Sequence, residues 1–295
     1  MAETEIDAIR ALLAAKPRPV GWPARRERMD AVGAHWPAAS DIKLQAVDIH
    51  GMPGEWSLAP GGNSRRALLY FHGGGYCSGS ILSHRRLVSE AGRAAGVRTL
   101  AVEFRLAPEH PFPAALDDAL TAWRFLRRQG LEARHIAIGG DSAGGGLSVV
   151  LANRLRAADE ERPGCLWLVS PWTDLTMSGE TMTTKDAVDP LIHKAYLGEL
   201  ADAYVPAGMD RRDPRLSPLF ATLHGLPPTL IQVGGDETLQ SDSTRFATAA
   251  GAANAPVTLE VWPHMIHAWH LWNAGLEPGR RALASAGAFI RSHLR

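Results

Sequence analysis

The 295-residue chain has only two cysteines, Cys77 and Cys165, far apart and without the spacing of a disulfide framework or a thiolate metal site. Two free thiols in a reducing compartment are expected. No stretch approaches the run of about 18 apolar residues that a spanning helix needs, so membrane insertion is not expected. Neither sign of charge is in excess: Lys plus Arg and Asp plus Glu each number 31. That balance removes the electrostatic reason to expect nucleic acid or an anionic membrane as partner. The first residues carry Glu3, Glu5 and Asp7, the wrong sign for the start of a secretory leader, and the expected location is cytoplasmic. No segment repeats and no linker divides the chain, so residues 1–295 read as one domain.

What is present is an apolar fraction of 45%, enough for a large core. Short apolar runs at 43–49, 55–59, 66–72, 98–104, 135–139, 165–170, 229–234 and 257–262 are rich in Val, Ile, Leu and aromatics and predict strands. Helical patterns alternate with them. Residues 143–155 place Leu147, Val150, Leu151 and Leu155 on one face. Residues 114–128 follow Pro111 and Pro113, and 241–253 and 280–294 form the last two helices. The alternation predicts an α/β fold: a mostly parallel eight-stranded sheet with helices on both faces. Two stretches are surplus to that plan. One precedes residue 43, with helical pieces at 6–15 and 22–34; the other is the 58-residue connection 171–228. Such long connections tend to have work of their own, and both are candidates for a cap, at about 1–42 and 175–215.

Gly140-Asp141-Ser142-Ala143-Gly144 follows the predicted strand 135–139 and opens the helix at 143. A serine between two glycines in a strand–turn–helix is the nucleophile elbow: the turn is so sharp that flanking side chains would collide with neighbouring elements. His72-Gly73-Gly74-Gly75-Tyr76 follows an earlier strand. Its glycines leave main-chain N–H groups free to turn toward a ligand oxygen, as an oxyanion hole requires. No G-x-x-x-x-G-K-[ST] and no G-x-G-x-x-G with a ribose-binding acid is present, so no nucleotide cofactor is expected.

Elbow chemistry needs an acid and then a histidine further along the chain. The strand 229–234 runs into Gly235-Asp236-Glu237-Thr238, where Asp236 is the first carboxylate, Glu237 its rival and Asp242 a third candidate. The last strand runs into a loop with His264, His267 and His270 at a spacing of 3. No neighbouring Cys or carboxylate completes a metal shell there, so no metal is expected and one histidine is the candidate base. The residues alone leave His267 and His264 both open.

The chain resembles the hormone-sensitive-lipase-like, bacterial family IV carboxylesterases of the α/β-hydrolase superfamily. The likeness rests on HGGGY at 72–76, FRLAPEHPF at 104–112, GDSAGG at 140–145, SPWTD at 170–174, Asp236 and MIHAW at 265–269. It runs from about residue 43 to the C-terminus. The resemblance implies an α/β-hydrolase fold with a helical cap, Ser142 as nucleophile, Asp236 as acid and His267 as base. It also implies Gly74, Gly75 and Ala143 as oxyanion-hole donors. Members usually carry Asp-Pro-Leu at the acid, where this chain has Asp236-Glu237-Thr238, and a Tyr where it has Phe104. The implied activity is hydrolysis of short-chain acyl esters of small molecules through an acyl-enzyme, with no cofactor. Lactone, arylformamide or amide hydrolysis with the same triad, and a non-catalytic small-molecule receptor, are the alternatives. The family's habit of pairing through its last strand makes a homodimer possible.

Overall fold

A computed structural model describes residues 4–16 and 18–294; Glu3, from the acidic start, lies outside the described residues. Eight strands form one sheet: β1 Lys43–Ile49, β2 Met52–Leu58, β3 Asn63–Phe71, β4 Val97–Val102, β5 Ile136–Asp141, β6 Cys165–Val169, β7 Thr229–Gly234 and β8 Val257–Trp262. Their spatial order is β1-β2-β4-β3-β5-β6-β7-β8. The strands from β4 through β3 to β8 run parallel, while β2 is antiparallel to both β1 and β4. The sequence pattern placed β2 three residues late. It begins at Met52 because Ile49 pairs with Met52 across a two-residue turn in which His50 and Gly51 have φ of 54° and 87°.

Among the described residues the helices are α1 Glu5–Ala14, α2 Trp22–His35, α3 Ile81–Ala95, α4 Ala114–Arg128, α5 Ala143–Ala157, α6 Thr181–Thr184, α7 Lys194–Tyr204, α8 Gln240–Ala252 and α9 Glu277–His293. Alternation along each strand divides the core between two faces. In β3, Leu68 and Tyr70 pack with Leu87 and Val88 of α3 and Leu283 and Ile290 of α9. Ala67, Leu69 and Phe71 point the other way, toward Ala119 and Trp123 of α4 and Leu147 and Leu151 of α5. The sequence pattern did not single out α3. Its ends are nonetheless well marked: Ser80 caps the N-terminus with a reciprocal Ser83 bond, and Gly96 closes it with φ 67°. A third apolar cluster joins Ile6 and Ile9 of α1 to Ile266, Trp269 and Trp272, so the N-terminal helix packs on the loop that follows β8.

The registers bring several strand ends together. Phe71 pairs with Gly140, Asp141 with Val169, and Gly234 with Trp262. The loops after β3, β5, β7 and β8 therefore leave the sheet along one carboxyl edge, where open parallel sheets bind ligands. The long connection between β6 and β7 carries α6 and α7.

Candidate active site

Ser142 sits between β5 and α5 with φ 54° and ψ −122°, a conformation that β-substituted residues rarely hold. The surroundings fix it: its N–H donates to Val169 O at 2.9 Å, and its carbonyl accepts from Trp172 N at 2.9 Å and Gly146 N at 3.1 Å. The glycine pattern has a steric cause. A Cβ on Gly144 would stand 2.0 Å from Phe71 O, the end of β3. The elbow thus presses directly against the strand that delivers the glycine loop.

In that loop Gly74 has φ 110°, open to glycine and little else, and Gly75 has φ 64°. Among the described residues, the main-chain N–H groups of Gly74, Gly75 and Ala143 have no hydrogen-bond partner. Ala143 owes its free N–H to its place in the first turn of α5. Gly74, Gly75, Ser142 and His267 line one cavity of about 380 Å³. Leu12, Met29 and Val32 from the N-terminal stretch, and Leu191, Tyr196 and Leu197 from the long connection, contribute to its wall.

The structure corrects the expected acid. Asp236 does not reach His267. It is partly exposed and turns outward, 2.9 Å from Arg10 and 3.6 Å from Lys185. Glu237, fully buried, takes the place instead: its Oε2 lies 2.8 Å from His267 Nδ1. Its Oε1 accepts from Gly234 N at 2.8 Å. The two acids are neighbours, so their side chains leave the backbone in different directions, and only one faces the sheet edge. Asp242, the third candidate, is buried elsewhere and accepts from the N–H groups of Thr173 and Asp174, both at 2.8 Å.

The structure separates the three histidines. His264 is largely exposed, with its ring 4.0 Å from Asp236. His270 is buried against Trp269 and bonds Gln232 at 2.9 Å; burial pushes its pKa down to about 3, so it is neutral. His267 alone of the three lines the cavity. Burial works against its charged form, but the Glu237 carboxylate outweighs that and holds its pKa above 6.5. The same burial raises Glu237, with His267 opposing the rise.

The sequence matches a family model for the α/β-hydrolase fold across residues 68–271. The chain belongs to the α/β-hydrolase family. A crystal structure of an esterase from the bacterial hormone-sensitive lipase family superposes with a TM-score of 0.96 at 39% identity, covering 100% of both chains. That likeness places the hydrolase in the same branch. An acetyl-hydrolase of Streptomyces hygroscopicus is 40% identical over 99% of this chain and 98% of its own length. An ethyl acetate hydrolase of Pseudomonas putida is 33% identical over 86% and 83%.

The hydrolase carries two supporting carboxylates that sequence reasoning passed over. Asp141, buried beside Ser142, accepts from Tyr70 Oη at 2.9 Å and from Gly73 N at 3.0 Å, and its other oxygen lies 3.3 Å from His84 Nε2. One side chain thereby joins the elbow to the glycine loop. Burial opposes its ionisation, yet His84 and the Tyr70 bond win, and its pKa falls to about 2. Its place inside GDSAGG was visible; its reach across to Gly73 was not. Asp189, also buried, accepts from Leu191 N, Ile192 N and Thr238 N, each at 2.9 Å. It ties the cavity-lining segment 191–192 to the turn that carries Glu237. Arg10 adds an outer clasp, donating to Val188 O at 3.0 Å and His264 O at 3.1 Å as well as to Asp236.

Proposed function

We propose that this carboxylesterase cleaves short-chain acyl esters through an acyl-enzyme on Ser142, with His267 as base and Glu237 as the acid that orients it. Main-chain donors of Gly74, Gly75 and Ala143 form the oxyanion hole. The observation that carries this reading is that Gly74, Gly75, Ser142 and a carboxylate-held His267 line one cavity, with the N–H groups of Gly74, Gly75 and Ala143, the residue after Ser142, left without partners among the described residues.

A serine hydroxyl is a weak nucleophile at neutral pH, so the base must take its proton as attack proceeds. With Nδ1 engaged by Glu237, His267 keeps Nε2 for that task and returns the proton to the leaving alcohol. The carboxylate holds the tautomer and stabilises the imidazolium. Charge growing on the carbonyl oxygen meets donors already in place, each typically worth about 3 kcal/mol. Water then attacks the acyl group through the same base and hole.

The N-terminal stretch and the β6–β7 connection act as the cap, since both supply cavity wall, and an enclosed site suits short acyl groups. The names of the acetyl-hydrolase and ethyl acetate hydrolase relatives agree with that size. A homodimer through β8 is part of the proposal, because β8 is an outer strand paired only with β7. The test of the chemistry is Ser142→Ala with p-nitrophenyl acetate: turnover is lost and the circular dichroism spectrum is kept. Near-native hydrolysis by that variant overturns the assignment.

A further inference from the structure

Most of the cavity wall is apolar, yet Lys16, Arg18, Arg25 and Arg28 all contribute to it, and among the described residues Asp141 is the one carboxylate on the wall. Asp141 is already engaged by His84, Tyr70 and Gly73. The cations are not equivalent. Arg25 is committed to Glu199 by paired bonds of 2.9 and 3.0 Å. Arg18 has no carboxylate within ion-pair distance among the described residues. Its guanidinium lies over the Tyr196 ring, 3.4 Å from the centroid, and donates to Leu191 O. Desolvation, with the nearby Arg25 and Arg28 charges, disfavours its charged form, opposed by Tyr196 and then by Glu199. Lys16, two residues away on the same wall, likewise has no carboxylate partner among the described residues.

A planar guanidinium held against an aromatic face presents its remaining N–H groups in a fixed fork suited to a carboxylate. An apolar cavity with an oxyanion hole on one part of its wall and, on another, solvent-facing cations that have no carboxylate in ion-pair distance among the described residues fits a substrate that is charged only at its far end. We propose that Arg18, supported by Lys16, receives a carboxylate carried by the substrate away from the scissile bond, so that the preferred substrates are esters with a terminal carboxylate. The proposal rests on the esterase reading and adds the substrate class to it.

The test compares matched pairs of esters. 6-Acetoxyhexanoate is set against its methyl ester for a charge on the alcohol side, and the p-nitrophenyl half-ester of adipic acid against its methyl-capped twin for the acyl side. In at least one pair the charged ester is favoured about tenfold in kcat/KM, chiefly through KM, and added salt shrinks the preference. Arg18→Gln lowers the charged-to-neutral ratio, and Lys16→Gln lowers it less. The ratio separates recognition from support of the fold: a loss shared equally by both esters, with the ratio intact, overturns the proposal. So does a wild-type ratio at or below one in both pairs, or one that ignores salt. Neutral esters that are turned over in that case leave the esterase reading standing. Failure of every ester, with no fluorophosphonate labelling of Ser142, sinks that reading instead.

Discussion

His267 Nδ1 lies 2.8 Å from Glu237 Oε2, while Asp236, one position earlier, turns away to meet Arg10 at 2.9 Å. Adjacent carboxylates therefore hold different posts, one inside on the imidazole and one outside on the clasp. Glu237→Gln is expected to lower kcat/KM by about 10⁴-fold, as loss of the tautomer-holding carboxylate does. Asp236→Asn removes a partly exposed ion pair and is expected to cost less than about fivefold. Steady-state kinetics on p-nitrophenyl acetate decide between them; a larger loss for Asp236→Asn than for Glu237→Gln contradicts the pairing.

The same pair sets the pH dependence. The proposed mechanism needs neutral His267, so on that reading kcat/KM falls as pH drops through the imidazole pKa. That pKa is raised above 6.5, chiefly by Glu237 acting against burial. The acid limb of the profile should accordingly lie above pH 6.5 in the wild type. With Glu237→Gln only burial remains dominant, and the residual activity should show its acid limb at lower pH. The stability the pair provides runs in the matching sense: present in full below the unfolded histidine value of 6.5, and lost as pH rises through the raised folded value. An acid limb that stays in place in the variant contradicts this account.

Asp141 links the elbow to the glycine loop, so if that loop is the oxyanion hole as proposed, its removal should act on kcat more than on KM. Asp141→Asn places an amide where His84 Nε2 now meets a carboxylate oxygen. Its Oδ1 still accepts from Gly73 N and Tyr70 Oη, but the charge that pairs with His84 and strengthens those bonds is gone, so the loop is held less firmly and kcat is expected to drop on the order of 10- to 100-fold. Its carboxylate also contributes stability that is present above the ordinary value of 3.8 and lost as pH falls toward about 2. Acid titration followed by circular dichroism should show the wild type holding out to lower pH than the variant.

Gly144 is a steric requirement, since a Cβ there would meet Phe71 O at 2.0 Å, backbone that cannot swing aside. Gly144→Ala is expected to destabilise the fold by about 3 kcal/mol or more, seen as a lowered Tm. An unchanged Tm shows that the elbow has more room than these contacts imply.

The sheet was legible in the sequence because buried parallel strands read as short apolar runs, and six of the observed strands overlap them closely while β2 and β3 each start three residues early. The elbow and the glycine loop were legible because each is a local pattern whose geometry is set by its own residues. Asp236 was expected as the acid and Glu237 only as its rival, for a physical reason: spacing along the chain says that an acid follows β7, but not which of two adjacent side chains faces the imidazole. The longer Glu reaches His267 from the second position, and the bond from Gly234 N to its Oε1 holds it there. The clasp from Arg10 to Asp236 spans 226 residues, and no local pattern signals a contact of that separation.

The central claim is that Ser142 itself carries the acyl group during turnover. Wild-type enzyme mixed with p-nitrophenyl acetate, acid-quenched during the burst and digested, should yield an acetylated peptide whose modified residue is Ser142, accumulating further in Glu237→Gln if deacylation slows more than acylation. Acetyl found on another residue, or turnover with no burst and no adduct on that peptide, contradicts the account.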